Sequence, residues 1–195
     1  MNILEKLLNL DYRVGDQMLF WRTDFWNKFF YYFTKLGSWY AILIIFIIIL
    51  AIYLIYHLMD LERWAKKKNR LIVPFFICLL GTGLTTVVIK YLVGRARPGL
   101  DLALFLENGP SFPSAHSALI LALFGFLIYC LWKFDFISQF NYILKIIISL
   151  IFVLIILLIG LSRLYLGVHF LSDVLGGYLI GLMWVFISMY LSRKR

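Results

Sequence analysis

"FNYILKIIISLIFVLIILLIGLSRLYLGVHFLSD", residues 140–173, begins as a hydrocarbon run and ends in polar side chains. Across 140–161 the only charged residue is Lys145, and the run has the length of a bilayer crossing, which takes about 20 apolar residues. Lipid offers the backbone no hydrogen-bond partner, so the run is predicted to be a helix. Similar runs recur at about 38–57, 71–91, 114–133 and 173–191, and the whole chain is 63% hydrophobic. A soluble domain has about 45–50% apolar residues. The pattern predicts an all-α fold, a polytopic transmembrane helical bundle of about five spans plus an N-terminal interfacial helix. One integral-membrane domain over 1–195 suffices, with 1–37 as the interfacial N-terminal segment and 38–195 as the bundle.

The formal charge of +9 is concentrated in "ERWAKKKNR" (62–70) and "SRKR" (192–195), beside apolar runs. Basic loops of this kind mark the cytoplasmic side and give no reason to expect nucleic acid as a partner. The connections 58–70 and 134–139 and the C-terminus are then cytoplasmic. The N-terminus, the polar insertion 92–113 and "SRLYLGVHFLS" (162–172) face outward. Arg95, Arg97 and Arg163 run against this rule, which a functional demand on the outer side would explain. In 17–36, Asp24, Asn27, Lys28, Tyr31, Thr34 and Lys35 share one helical face, and Phe25, Trp26, Phe29, Phe30 and Phe33 the other. That division fits a helix lying in the membrane interface. Gly177 and Gly181 form a small-xxx-small face for close helix packing. Cys78 and Cys130 sit inside apolar runs, with no disulfide expected, and no cleavable leader is expected at "MNILEKLLNLDYRVGD".

Taken singly, the polar residues at the outer ends have plain explanations. Lys90 could snorkel to headgroups, Arg163 could hold a lipid phosphate nonspecifically, and Asp173 could cap a helix. Taken together they ask for more, because clustered ionisable groups are costly at a membrane. Folding would bring Lys90, Arg97, Ser114, His116, Arg163, His169 and Asp173 to one vestibule. Three cations, a hydroxyl and helix N-termini make a receptor for a multiply charged oxyanion. His169 and Asp173 are i and i+4, so the carboxylate can fix the imidazole tautomer and free the other nitrogen for attack. That arrangement suits a phosphohistidine intermediate. His116, opening another helix, is placed to protonate a leaving alkoxide and then activate water. Lys90, Arg97, Arg163, Ser114 and the backbone N–H near Ala115 would hold the phosphoryl oxygens. Two histidines and one already paired carboxylate are too few for a metal site, so no cofactor is expected.

"KYLVGRARP" (90–98), "PSAH" (113–116) and "SRLYLGVHFLSD" (162–173) resemble the tripartite signature KxxxxxxRP, PSGH and SRxxxxxHxxxD of the type 2 phosphatidic acid phosphatase superfamily. The resemblance covers about 70–191. It implies a helical bundle and metal-independent hydrolysis, with His169 as nucleophile, Asp173 as its partner and His116 as acid and base. It also implies that Lys90, Arg97, Ser114 and Arg163 bind phosphate. Ala115 stands where the pattern has glycine, a mild change that crowds the phosphate-facing N–H by one methyl.

The resemblance implies a membrane lipid phosphate as substrate, with undecaprenyl pyrophosphate as the leading expectation. Phosphatidylglycerol phosphate, phosphatidic acid and the phosphates of lipid A are the alternatives. The outer loop, whose acids are Asp101 and Glu107, is not expected to repel a pyrophosphate. The expected location is a bacterial cytoplasmic membrane with the site on the outer face. The competing readings are a lipid phosphotransferase, a vanadate-dependent haloperoxidase (disfavoured by the apolar spans) and a non-enzymatic lipid-binding protein.

Overall fold

The structure, a computed structural model, describes residues 3–58, 62–99, 101–133 and 141–194. The turn expected at 134–139 lies outside the described residues, as do the basic side chains of 62–70. Every regular element among the described residues is helical. They are α1 (Ile3–Phe20), α2 (Asp24–Phe33), a 3₁₀ turn (Thr34–Gly37), α3 (Trp39–Leu58), α4 (Glu62–Val93), α5 (Ala115–Lys133), α6 (Tyr142–Tyr165) and α7 (Leu171–Lys194).

Four helical stretches are long and apolar enough to cross a membrane: Leu71–Val93, Ala115–Lys133, Tyr142–Tyr165 and Leu171–Arg193. A fifth is possible in length and composition if α2 with its 3₁₀ turn and the start of α3 count as one span bent by 41°. The chain is thus an integral membrane protein; four spans lie close to the expected ones, although α4 begins earlier, at Glu62, whereas the one expected at 38–57 qualifies only as part of that bent pair.

The segment 17–36 departs from a single helix. The chain breaks at Trp21–Thr23, because Thr23 is extended (φ −138°, ψ 159°) and its hydroxyl accepts the Trp26 N–H at 3.3 Å. Such an N-cap restarts a helix in a new direction. Arg22, in the break, donates to the carbonyls of Leu102 and Tyr165 and so ties the N-terminal segment to the site end of the bundle.

The central helix is α5: half of its apolar window is buried inside the protein, against 17% for α6. Phe75, Cys78, Leu123, Phe126, Ile159 and Val185 fill the core around it, and both cysteines are free. The helix α7 lies close against α5 through Gly177 and Gly181, as their spacing predicted. A Cβ at either would come within 2.5 Å of a carbonyl oxygen, that of Ser114 or Ala118 respectively. On the outside, Leu150, Leu154 and Leu157 of α6 and Leu80 and Leu84 of α4 are exposed. A soluble surface rarely tolerates such a continuous apolar face, and lipid covers it here.

The polar insertion packs across the site end. The Leu104 N–H donates to the Leu166 carbonyl at 2.9 Å. Gly167 has φ +69° and lies so near the Leu102 carbonyl that no side chain fits. The Ser114 N–H donates to the Asp173 carbonyl at 3.0 Å, joining the start of α5 to the start of α7.

Candidate active site

The C-terminal ends of α4 and α6 and the N-terminal ends of α5 and α7 meet around a cavity of about 430 Å³. Lys90, Arg97, Ala115, His116, Arg163 and His169 line it, together with Tyr31, Thr34 and Lys35 of the N-terminal segment and Trp39 and Tyr40 at the start of α3. The two histidines, dispersed in sequence, therefore face one chamber. A volume of this size suits a lipid headgroup, with the tail left outside.

His169 is buried between two partners of opposite charge. Its Nδ1 lies 3.4 Å from Asp173 Oδ2, and its Nε2 lies 3.2 Å from Arg97 Nη1. A guanidinium has only donors, so Nε2 is the acceptor and Nδ1 carries the hydrogen. Burial pushes the imidazole well below the ordinary 6.5, and Arg163, Arg97 and Lys90 push it further the same way. A neutral ring with an unprotonated Nε2, here accepting from Arg97, carries the lone pair that a nitrogen nucleophile requires. Asp173, the third residue of α7, also accepts the Phe170 N–H at 2.9 Å through Oδ2. It thus serves the helix start and the histidine together.

The cations are held by carbonyls and by one acid. Lys90 Nζ donates to the carbonyls of Pro110 (2.6 Å) and Ser111 (3.3 Å). Arg97 donates to the carbonyls of Gly109 (2.9 Å) and Val168 (2.8 Å). Arg163, only 1% exposed, donates to the Thr34 hydroxyl at 2.9 Å and keeps Nε buried without a hydrogen-bond partner. Glu107 bridges the two arginines, at 2.9 Å from Arg97 Nη1 and in close contact with Arg163 Nη2. Burial raises the carboxyl of Glu107, but Arg163 and Arg97 outweigh it and hold the group below its ordinary range, so it is ionised.

Ser114 sits apart from the expected phosphate ligands. It is fully buried ahead of α5, outside the cavity lining, and its Oγ accepts from Ser117 Oγ at 3.1 Å and Ser117 N–H at 3.5 Å. It frames the helix start, whereas Ala115 and His116 reach the cavity. Four residues near the site had no role assigned from the sequence: Glu107 and Arg95, noted there only as an outer-loop acid and an outward-side arginine, and Asp11 and Thr34. Arg95 lies two positions before Arg97, which was a usable signal. For Asp11 and Thr34 nothing in the local sequence showed that the N-terminal helices fold back onto the site. Among the described residues, no group of three or more His, Cys, Asp or Glu is arranged to hold a metal.

Comparison with known proteins gives concordant matches. The family model described as the PAP2 superfamily matches residues 71–195. Phosphatidylglycerophosphatase B of Bacillus subtilis (strain 168) is 39% identical over 109 residues, covering 55% of this chain and 51% of that protein. The alignment thus spans about half the length of that curated relative. The crystal structure of a transmembrane PAP2-type phosphatidylglycerolphosphate phosphatase from Bacillus subtilis superposes with a TM-score of 0.80 at 28% identity, covering 97% of this chain and 87% of that one. The crystal structure of Aquifex aeolicus LpxE gives a TM-score of 0.65 at 23% identity, covering 93% and 95% of the two chains, a likeness of fold alone.

Glu107 bears on the expectation that the outer loop does not repel a pyrophosphate. Its carboxylate bridges the two guanidinium groups that line the cavity and so competes with an anion for them. Replacing Glu107 by Gln removes that competing charge and is expected to tighten inorganic phosphate binding by about 10-fold, the worth of one charge-assisted hydrogen bond. The inhibition constant of phosphate measures this, and an unchanged or weaker affinity would contradict it.

Proposed function

The chain belongs to the PAP2 superfamily, and from that premise we propose that it hydrolyses the headgroup phosphate of a membrane lipid, without a metal, through a phosphohistidine. Phosphatidylglycerol phosphate is the substrate best supported. The relative identified as phosphatidylglycerophosphatase B and the phosphatidylglycerolphosphate phosphatase structure favour it. It displaces undecaprenyl pyrophosphate, for which no comparable support exists among these matches.

The observation that carries the chemistry is the environment of His169: Nδ1 toward Asp173, Nε2 toward Arg97, both histidines on one cavity. In the first step Nε2 attacks phosphorus and the P–O bond to the glycerol breaks. His116 gives its proton to the departing alkoxide. The phosphorylated ring carries positive charge, which the Asp173 carboxylate balances. In the second step His116 takes a proton from water, the water oxygen attacks phosphorus, and the P–N bond breaks to release phosphate. Lys90, Arg97 and Arg163 hold the three equatorial oxygens, where charge builds in the transition state. The N–H groups at Ala115 and His116 add the positive end of α5. Ser114 serves by fixing that helix start. Glu107 leaves the arginines when phosphate arrives.

The site is further proposed to face outward from a bacterial cytoplasmic membrane, because the basic segments 62–70 and 192–195 flank the opposite ends of the spans.

Phosphate release from a panel of lipid phosphates in detergent, with excess chelator, tests the substrate and the metal together. Phosphatidylglycerol phosphate is expected to turn over fastest, unaffected by chelator, and His169→Ala to lose at least about 10³-fold, as for an essential nucleophile. Faster turnover of undecaprenyl pyrophosphate, or abolition by chelator, would overturn the corresponding element. For orientation, single cysteines at Asn108 and Lys67 are expected to label with a membrane-impermeant reagent from outside and inside respectively. Labelling of Lys67→Cys from outside would reverse the proposed side.

A further inference from the structure

Behind the catalytic histidine lies a set of polar contacts that the reaction as written does not use. Asp11, on α1, is 3% exposed although it is an ionisable residue on an N-terminal amphipathic helix. Its Oδ1 accepts the Ser172 N–H at 2.8 Å. Its Oδ2 accepts from the Ser172 hydroxyl at 2.6 Å and from Arg95 Nη2 at 2.8 Å. Arg95 then extends Nη1 to Ser172 Oγ at 2.6 Å and to Asp173 Oδ1 at 2.7 Å. The guanidinium carbon lies over the Phe170 ring, 4.2 Å from its centroid, and Tyr12 meets the same ring edge-on at 5.4 Å. The backbone of Arg95 is pinned as well, since its carbonyl accepts the Ser111 N–H at 2.8 Å.

We infer that Asp11 and Arg95 are positioning residues that aim the Asp173 carboxylate at His169. The inference rests on the phosphoryl-transfer reading of the site. The histidine contact alone is too long to orient the carboxylate: Nδ1 and Oδ2 are 3.4 Å apart. Orientation comes from the other partners, with Arg95 claiming Oδ1 and the Phe170 N–H helping to fix Oδ2. A guanidinium beside a carboxylate prefers to donate through two nitrogens at once. Asp11 prevents this by occupying Nη2, so Arg95 takes one oxygen of Asp173 and leaves the other for Nδ1–H. Without Asp11, the fork of Arg95 closes on both oxygens of Asp173 and draws them from the imidazole. Because Asp11 belongs to α1, which contributes nothing to the cavity lining, that helix completes the catalytic constellation without touching the substrate.

Asp11→Asn is the informative variant. It keeps the shape and one acceptor for Ser172, and it removes the charge that holds Arg95. With phosphatidylglycerol phosphate and the full chain in detergent, kcat is expected to fall about 10- to 100-fold, the cost of a small misplacement of a reacting group. KM, and the inhibition constant of inorganic phosphate, should stay within about threefold, because Lys90, Arg97 and Arg163 are untouched. Once Arg95→Gln is present, adding Asp11→Asn should cost less than about twofold more, since one relay cannot be broken twice. An unchanged kcat in Asp11→Asn would overturn the relay alone, as would a parallel loss of phosphate affinity, which marks general damage to the site. So would full multiplication of the two defects. A wild-type chain without turnover on any lipid phosphate would overturn the functional reading as well.

Discussion

Buried cations at the end of an apolar bundle must be answered by negative charge, and the site is arranged around that demand. Arg163 is 1% exposed, yet it shares its end of the bundle with Arg97 and Lys90. Water screens the buried Arg163 least, so it is worth more to an anion than a surface cation would be. Carbonyl oxygens of Pro110, Ser111, Gly109 and Val168 supply part of the answer. Glu107 supplies the ionised part. A phosphate dianion has the charge and the oxygens to replace it, and the neutral state of His169 follows from burial and from the same cations.

The rest of the fold keeps those groups in register. The Ser114 N–H bond to the Asp173 carbonyl locks two helix starts together, and Gly177 lets α7 approach the Ser114 carbonyl ahead of α5. One side chain, Asp173, contributes to the helix start, to His169 and to Arg95 at once. Economy of this kind makes the site sensitive to second neighbours. Thr34 holds Arg163 from the N-terminal segment, as Asp11 holds Arg95. A bundle of spans alone would leave both arginines with fewer constraints.

Much of this was legible in sequence, for physical reasons. Spans announce themselves because lipid imposes length and apolarity on every crossing, so the runs around Leu71–Val93 and Tyr142–Tyr165 could be read directly. Alternation of helix direction then placed Lys90, His116, Arg163 and His169 at one end, where the structure also gathers them around one cavity. The small residues Gly177 and Gly181 marked a close approach that does occur. What escaped depended on loops and on distant partners. Glu107 was read as a harmless acid because nothing in "LENGP" tells that the loop folds inward between two arginines. Asp11 carried no signal of its own, since its partners Arg95 and Ser172 are more than eighty residues away. Thr23 was missed as a helix start inside an aromatic-rich stretch that read as continuous.

The central claim is that Nε2 of His169 becomes bonded to phosphorus. Acid-labile, base-stable label transferred from a radiolabelled lipid phosphate, trapped by a rapid alkaline quench and mapped by peptide mass spectrometry, addresses it directly. The label is predicted to reside on Nε2 of His169 and to be absent from His169→Ala. Label on His116, or turnover with no protein-bound phosphate at any quench time, would contradict the account.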